Sequence, residues 1–288
     1  MLPLYRIPKT DFPARLLEIP HPPKELYARG FVDLTGKKVL TVVGPRKHTS
    51  YGRETTHSLI LSLRGLPVVV VSGLAHGIDS IAHEAALEAD LPTIAFPGSG
   101  LDANVIYPAA HRKLAERILE NDGMLISEFK PHEKAVDYFF PQRNRLVAGI
   151  SHAVLIPEAG EKSGTLITAK LTVDYNRDLL VVPGNINSPM SKGANQFLRL
   201  GATPITCADD LREALGFARS EDATLLPLHE RSDLSVGEKR LLSFLIEPLS
   251  RDELIRKLSI PVADFNMMLT MLEIKSIIRE ENGIIFLI

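Results

Sequence analysis

The sequence predicts an α/β fold built on a largely parallel, doubly wound sheet, followed by a small separate unit at the carboxyl end. Three observations carry this reading. Seven short apolar, β-branched runs alternate with helical stretches between residues 38 and 218. Five of those runs close on glycine-bearing loops, and a charged stretch at 219–234 breaks the alternation before a differently patterned tail. Strand–helix alternation of this kind places helices on both faces of a sheet whose strands run the same way.

Residues 1–35, with "IPHPPKELYARG", are proline-rich and poorly periodic. They read as an extended lead-in packed on the core rather than as an independent fold. The strands of the main domain, 36–218, are "KVLTVV", "PVVVV", "PTIAF", "MLIS", "HAVLIP", "DLLVVP" and "ATPIT". Between and after them come helical stretches at 50–64, 78–89, 109–120, 143–150, 164–176, 193–200 and 208–218. Residues 219–234, "RSEDATLLPLHERSDL", read as a linker. In 235–288 the pattern predicts helices at 235–247, at 250–258 with Ser250 as N-cap, and at 261–275 opening on Pro261. "SIIREENGIIFLI" then reads as a hairpin turning at Glu281, Asn282 and Gly283. Three helices and a hairpin predict a winged helix.

Composition narrows the functional classes. A chain of 288 residues, 45% hydrophobic and 24% charged, can build a full core, and a net charge of −2 supplies no global field for nucleic acid. Any anion site must therefore be made locally. The single cysteine, Cys207, excludes an intramolecular disulfide and a cysteine-rich zinc site. No run reaches the roughly 18 apolar residues of a membrane span. The start "MLPLYRIPKTDF" has no basic-then-apolar signal segment, so a cytoplasmic home is expected.

In an open α/β sheet, ligands bind outside the carboxyl ends of the strands. The loops there are "GPRKHTSYG" opening at Gly44, "SGLAHGID" with Ser72 and Gly73, "PGSG", "PEAGEKSGTLITA" with Lys162, Ser163, Gly164 and Thr165, and "PGNINSPMSKGAN" with Lys192. Glycines admit an anion to the backbone, and helix N-termini near Asp79 and Thr165 offer free amides. A glycine can also simply end a strand, so the inference of a phosphate-bearing ligand rests on five such loops together. None spells a dinucleotide or nucleoside-triphosphate fingerprint. No cofactor is expected. His76, Asp79, His83 and Glu84 lack the paired histidines of a zinc helix, and Asp79 reads as a cap or turn residue.

Catalytic groups are scarce by comparison. Ser72 and Ser163 lie in no nucleophile elbow. Glu158 and Asp174 have no spacing that pairs them as acid and base, and Glu158 beside Lys162 reads as a structural ion partner. Donors are plentiful: Arg46, Arg143, Arg145, Lys162, Lys170 and Lys192, with Asn144 and Asn195. Tyr51, Tyr138, Phe139 and Phe140 offer stacking faces, although a ring beside proline can equally plug a domain edge. Cations with aromatics suit a nucleic-acid strand.

The segments "VVGPRKHTSYG", "VVVVSGLAHGIDSIAHEAAL", "FPQRNRLVAGIS", "PEAGEKSGTLITAKLTVDYNRDLLVVPG" and "KGANQFLRLGA" together resemble the DNA-processing protein A (DprA/Smf) family, over about residues 16–206. The resemblance implies an extended Rossmann-like core that binds single-stranded DNA, forms a homodimer and loads RecA in natural transformation, with no enzymatic activity. It implies that Arg46 is a DNA-binding loop arginine and that Phe140, Arg143, Asn144 and Arg145 form the family's F-P-x-R-N-R segment. Ser72, Gly73, Ser163, Gly164, Thr165 and Lys192 are their implied neighbours. Pro45 replaces the small hydroxyl residue usual before that arginine. Asp137 stands where some members carry a DNA-binding lysine, which would either weaken binding or shift the load to nearby Lys134. Many members also have an N-terminal helical domain, for which this chain leaves no room before the core.

Another class shares such a core. Nucleotide phosphoribohydrolases of the lysine-decarboxylase-like type carry a P-G-G-x-G-T-x-x-E loop with a catalytic glutamate. Here "PEAGEKSGTLIT" places Thr168 where that glutamate would stand. The tail raises a separate expectation. Its third helix, "PVADFNMMLTMLEIK", holds Asp264 and Glu273 against Lys275 alone, and 233–288 carries nine acidic residues against seven basic. Such a charge opposes duplex DNA, so a protein-contact or intramolecular role is expected, with methionines as adaptable contacts.

Overall fold

The computed structural model describes residues 2–219, 234–245, 248–275, 277–281 and 283–287. Its first strands arise where the sequence suggested only a lead-in. β1 (Leu4–Ile7) and β2 (Leu26–Gly30) pair antiparallel, flanking the short helix α1 (Ala14–Leu17). Ile7, Phe12, Leu16, Ile19, Leu26 and Ala28 are buried in a core shared with the main domain. These strands are too short to show an alternation through the prolines around them. What makes β2 a strand is β6, about a hundred residues away, and β1 then pairs on β2, so a local reading cannot see either.

The seven expected strands follow: β3 (Lys38–Val42), β4 (Val68–Ser72), β5 (Thr93–Ala95), β6 (Met124–Ser127), β7 (Ala153–Ile156), β8 (Asp178–Val181) and β9 (Thr203–Pro204). With the first two they make one nine-stranded sheet in the order β1-β2-β6-β5-β4-β3-β7-β8-β9. From β6 to β9 every pairing is parallel, and β2 joins β6 antiparallel. The helices are α2 (Ser50–Leu61), α3 (Ile78–Glu88), α4 (Arg112–Glu120), α5 (Phe139–Gly149), α6 (Thr165–Asp174), α7 (Lys192–Arg199) and α8 (Ala208–Ala214).

Double winding explains why the central strands are apolar without interruption. Val39, Val69, Val71 and Val154 face a core closed by Leu146 and Val147 of α5 and Ala169 of α6. Their neighbours Leu40, Val42, Val68, Val70 and Leu155 face a second core closed by Ile60 of α2, Ala82 of α3 and Leu211 of α8. Both faces of each strand are dry, so the period-2 signal disappears. Helix α5 begins at Phe139, four residues before the expected start. Pro141 occupies its first turn, where an N–H has no intrahelical acceptor to lose, and so it opens the helix rather than stopping the chain.

A second compact unit is distinguished from residue 220 onward. Its described elements are α9 (Val236–Phe244), β10 (Leu249–Ser250), α10 (Arg251–Leu258), α11 (Val262–Ile274), β11 (Ile278–Glu281) and β12 (Ile284–Leu287). The strands form an antiparallel sheet in the order β10-β12-β11. Ser235 and Ser250 open α9 and α10 as capping boxes with Glu238 and Glu253. Leu241, Leu254, Phe265, Leu269, Leu272 and Ile285 fill the core. Helix, strand, two helices and a hairpin follow one another here, the short strand β10 being an addition to the three helices and hairpin that the sequence predicts. The expected linker at 219–234 lies outside the described residues except for its ends, Arg219 and Leu234.

Candidate nucleic-acid interface

The chain winds outward from β3 in both directions, with β4 on one side and β7 on the other. The loops after these strands therefore part from one another, and the crevice between them is the switch point of the sheet. A cleft of about 570 Å³ opens there. Its walls come from residues 43–47 after β3, Ala75 and Asp79 after β4, the first turns of α5, and the segment from Gly160 to Thr168 after β7. Parallel strands bring to one edge the loops that the sequence spreads over more than a hundred residues.

Arg46 lies exposed at the rim with its guanidinium carbon 5.1 Å from the centroid of the Phe140 ring. The ring itself is held from behind. Gly98 lies beneath it, where a Cβ would come within 2.5 Å, and Tyr107 tilts against it at 5.6 Å. The third glycine loop thus serves as a floor for Phe140 rather than as a lining of the cleft. Lys47, Lys162 and Asn144 complete the polar lining, with Gly44, Ser163, Gly164 and Thr165 between them. Gly164 is open, with nothing near its missing side chain, and it precedes α6, whose first N–H groups are taken up locally: Thr165 donates to Ser163 Oγ at 3.2 Å, and Leu166 and Ile167 to the Ser163 and Gly164 carbonyls at 3.1 Å. Cations, amides and one ring on a concave surface can hold phosphates and stack a base.

Arg143 and Arg145, two residues apart, part company here. Helical positions two apart lie about 200° apart around the axis, on opposite sides. Arg143 turns inward and is buried, donating to the Phe96 carbonyl and filling the space that a side chain on Gly73 would take. It faces Asp79, also buried, whose carboxylate accepts from the N–H groups of Gly73 (3.1 Å) and Ala75 (3.4 Å). Burial pushes the Asp79 carboxyl up, while Arg143 and the two amides pull it back. Burial likewise lowers the Arg143 guanidinium to about 10, with Asp79 opposing and Arg46 adding to the shift. Arg145 instead pairs with Glu128 and lines a different groove, with Arg6, His21 and Lys24 of the lead-in. The cleft therefore receives one arginine of the pair.

Several other expected residues are occupied elsewhere. Ser72 is buried and donates to the Val42 carbonyl at 2.7 Å, tying β4 to β3. Tyr51 donates to the Pro183 carbonyl at 2.8 Å and lines a separate groove beside Cys207. Lys192 stands outside the cleft lining, 3.9 Å from Glu161. Asn195 closes the loop after β8 through Gly184, donating to its carbonyl at 2.9 Å and accepting from its N–H at 3.1 Å. Lys170 lines a groove at the far end of α6. Phe139 is buried and stacks on Phe129 at 3.7 Å, while Tyr138 is exposed. Ser163 and Thr165 bond to each other at the start of α6, the Ser163 hydroxyl donating to Thr165 Oγ1 at 2.8 Å. Lys134 and Asp137 are exposed and line no part of the cleft.

Glu158 was misread as an ion partner of Lys162. It is buried, and both its oxygens hold Thr49 across the switch point. Gly52 was the available signal, since only a residue without a side chain leaves room for that carboxylate. Among the described residues no group of three or more histidines, cysteines or carboxylates is placed to hold a metal ion. His83 points into the core, with Nδ1 2.8 Å from the Thr93 hydroxyl. Among the described residues no helix is long and apolar enough to cross a membrane.

Comparison with known proteins places this architecture. The family model for DNA recombination-mediator protein A matches residues 4–216. Protein Smf of Escherichia coli is 37% identical over 206 residues, 72% of this chain and 54% of that protein, so the chain spans about half of that relative. DNA processing protein DprA of Streptococcus pneumoniae is 37% identical over 209 residues, 73% of each. Its crystal structure superposes with a TM-score of 0.68 at 35% identity, covering 74% of both chains. DNA processing protein A from Helicobacter pylori superposes with a TM-score of 0.67 at 31% identity, covering 74% of this chain and 96% of that one. That structure is described as revealing a single-stranded DNA binding mode. With the family match spanning the whole sheet and its cleft, the chain belongs to the DNA recombination-mediator protein A family, the DprA/Smf proteins.

Proposed function

We propose that this protein binds single-stranded DNA along the switch-point cleft and acts as a recombination mediator without transforming the strand chemically. The observation that carries the reading is the pairing of Arg46 with Phe140 at the rim, a cation beside a ring whose back is held by Gly98 and Tyr107. A base stacks on such a ring while its phosphate meets the guanidinium, and a rim open to solvent lets the strand run on in both directions. The single-stranded DNA binding mode described for the Helicobacter pylori relative supports the same ligand. A homodimer that delivers the strand to RecA in the cytoplasm is the finer form of the proposal, and it rests on family membership.

The lack of catalytic groups in the cleft supports a binding role. Among the described lining residues Asp79 is the sole carboxylate, and it is buried against backbone amides. Thr168, where a phosphoribohydrolase of the related core would place its glutamate, is buried as well. Titration with an oligothymidylate and with a duplex of equal length tests the reading. Tighter binding of the single strand is expected. With about three phosphates engaged, log K should fall against log salt with a slope near −2, at roughly 0.7 per phosphate. Equal affinity for the two forms at moderate salt, or release of free base from nucleoside monophosphates, would refute it.

A further inference from the structure

The loop that carries Arg46 and Lys47 runs from the end of β3 to the first turn of α2, and its far end is held by a residue of the loop after β7. Glu158, two residues beyond β7, is 3% exposed. Its Oε1 accepts from the backbone N–H of Thr49 at 2.8 Å, and its Oε2 accepts from the Thr49 hydroxyl at 2.7 Å. The same hydroxyl oxygen accepts from the N–H of Gly52 at 3.0 Å, so Thr49 is the N-cap of α2. A Cβ on Gly52 would collide with the Glu158 carboxylate.

Among the described residues no cation pairs with Glu158. A carboxylate buried without one is costly unless donors and a favourable dipole offset it. Here the offset comes from two hydrogen bonds and from the amino end of α2, where negative charge is favoured. This terminus follows the first parallel strand of the main domain, the position at which dinucleotide-binding folds hold a pyrophosphate. Glu158 fills it with the chain's own anion. The segment that supplies Glu158 continues directly into Gly160, Lys162 and Ser163, the opposite wall of the cleft.

We infer that Glu158 is a positioning residue that acts as an internal anion. It takes the seat a ligand phosphate would occupy at α2 and thereby fixes the Arg46 loop at a set distance from the α6 wall. Glutamine replaces it only in part. Its carbonyl can accept from the Thr49 N–H, but its amide would have to donate to Thr49 Oγ1, so the hydroxyl proton loses its acceptor and the negative charge at α2 is gone. The inference rests on the proposed single-strand binding for its affinity readout and on backbone exchange for a readout free of DNA.

In full-length Glu158→Gln, affinity for an oligothymidylate should fall roughly tenfold, about 1.4 kcal/mol. The salt slope should flatten by about 0.7, the change expected if Arg46 no longer reaches a phosphate. Combining Glu158→Gln with Arg46→Ala should cost no more than Arg46→Ala alone, because the two act through one contact. Thr49→Ser, which keeps the hydroxyl, should bind like the native protein, and Thr49→Val should behave like Glu158→Gln. Thr49→Val also carries the test should Glu158→Gln fold poorly. Without DNA, the amides of Thr49 and Gly52 should exchange faster with solvent in Glu158→Gln. Native affinity and slope in a variant that only melts earlier, or losses from Arg46 and Glu158 that multiply, would reduce Glu158 to a packing residue. If the native protein binds no oligonucleotide, the proposed function fails and amide exchange alone decides, with unchanged exchange overturning the inference.

Discussion

The cleft of the α/β unit and helix α11 of the C-terminal unit both occupy positions from which proteins often hold nucleic acid, yet they are built in opposite ways. The cleft is lined by Arg46, Lys47, Lys162 and the buried Arg143, with glycine loops and the start of α6 between them. Helix α11 carries Asp264 and Glu273 and no basic residue, and its exposed face holds Val262, Met267, Met271 and Ile274. Lys275, just beyond it, is drawn to Glu238 at 2.7 Å. Position in a fold therefore does not decide the ligand. Affinity for a phosphate chain needs cations or free amides that face solvent, and an acidic, methionine-rich face provides neither.

The largest effect should follow from removing the arginine buried behind the cleft. Arg143→Ala leaves Asp79 buried opposite an empty space and should cost about 3–5 kcal/mol of stability, read as a lower denaturation midpoint. A variant as stable as the native protein would show that Arg143 serves the ligand alone. Next come the rim residues. Arg46→Ala should weaken oligothymidylate binding by about 1.5–3 kcal/mol and Phe140→Ala by about 1–3 kcal/mol, with folding intact for Arg46→Ala. Unchanged binding in either variant would remove that residue from the site. If Phe140→Ala melts early yet binds normally, its ring is a packing element like Phe139.

Acid should separate the two units as well. Burial holds His83 at about 3 and, with less burial, His152 at about 4, both below the usual 6.5. An unfolded chain takes up these protons first. The stability of the α/β unit should therefore fall as pH drops below about 6.5 and keep falling toward 3, by at most about 1.4 kcal/mol per pH unit for each histidine. Residues 234–288 contain no histidine, so the helices and hairpin of the C-terminal unit lack this source of loss. His83→Gln should flatten the decline between pH 7 and 5 when followed by chemical denaturation, and an unaltered decline would assign it to other groups. The smallest effect is expected on α11. Met267→Ser should leave oligonucleotide affinity within about 0.5 kcal/mol of native. Asp264→Lys with Glu273→Lys sharpens the contrast, because a gain in duplex binding would identify charge as the obstacle. Native-level tight binding of a duplex through the unaltered α11 would overturn the charge argument.

The sequence by itself determined the seven parallel strands, the loops at their carboxyl ends and the three helices and hairpin of the C-terminal unit, though not its short strand β10. Each is announced by a local signal: an apolar run closed by glycine, a serine with glutamate three residues on, a turn between two apolar segments. The tertiary structure alone decided that the lead-in supplies two strands, since β2 depends on pairing with β6. It also decided which candidates meet. Gly44, Arg46, Phe140, Arg143, Asn144, Lys162, Ser163, Gly164 and Thr165 line one cleft, whereas Ser72, Tyr51, Lys192 and Arg145 are engaged outside it. The separation of Arg143 from Arg145 was within reach of the sequence, because a 3.6-residue period sends alternate helical positions to opposite sides. That Glu158 reaches Thr49 was not. Their 109-residue separation is closed by β3 pairing with β7, and no local pattern encodes which strands of a parallel sheet become neighbours.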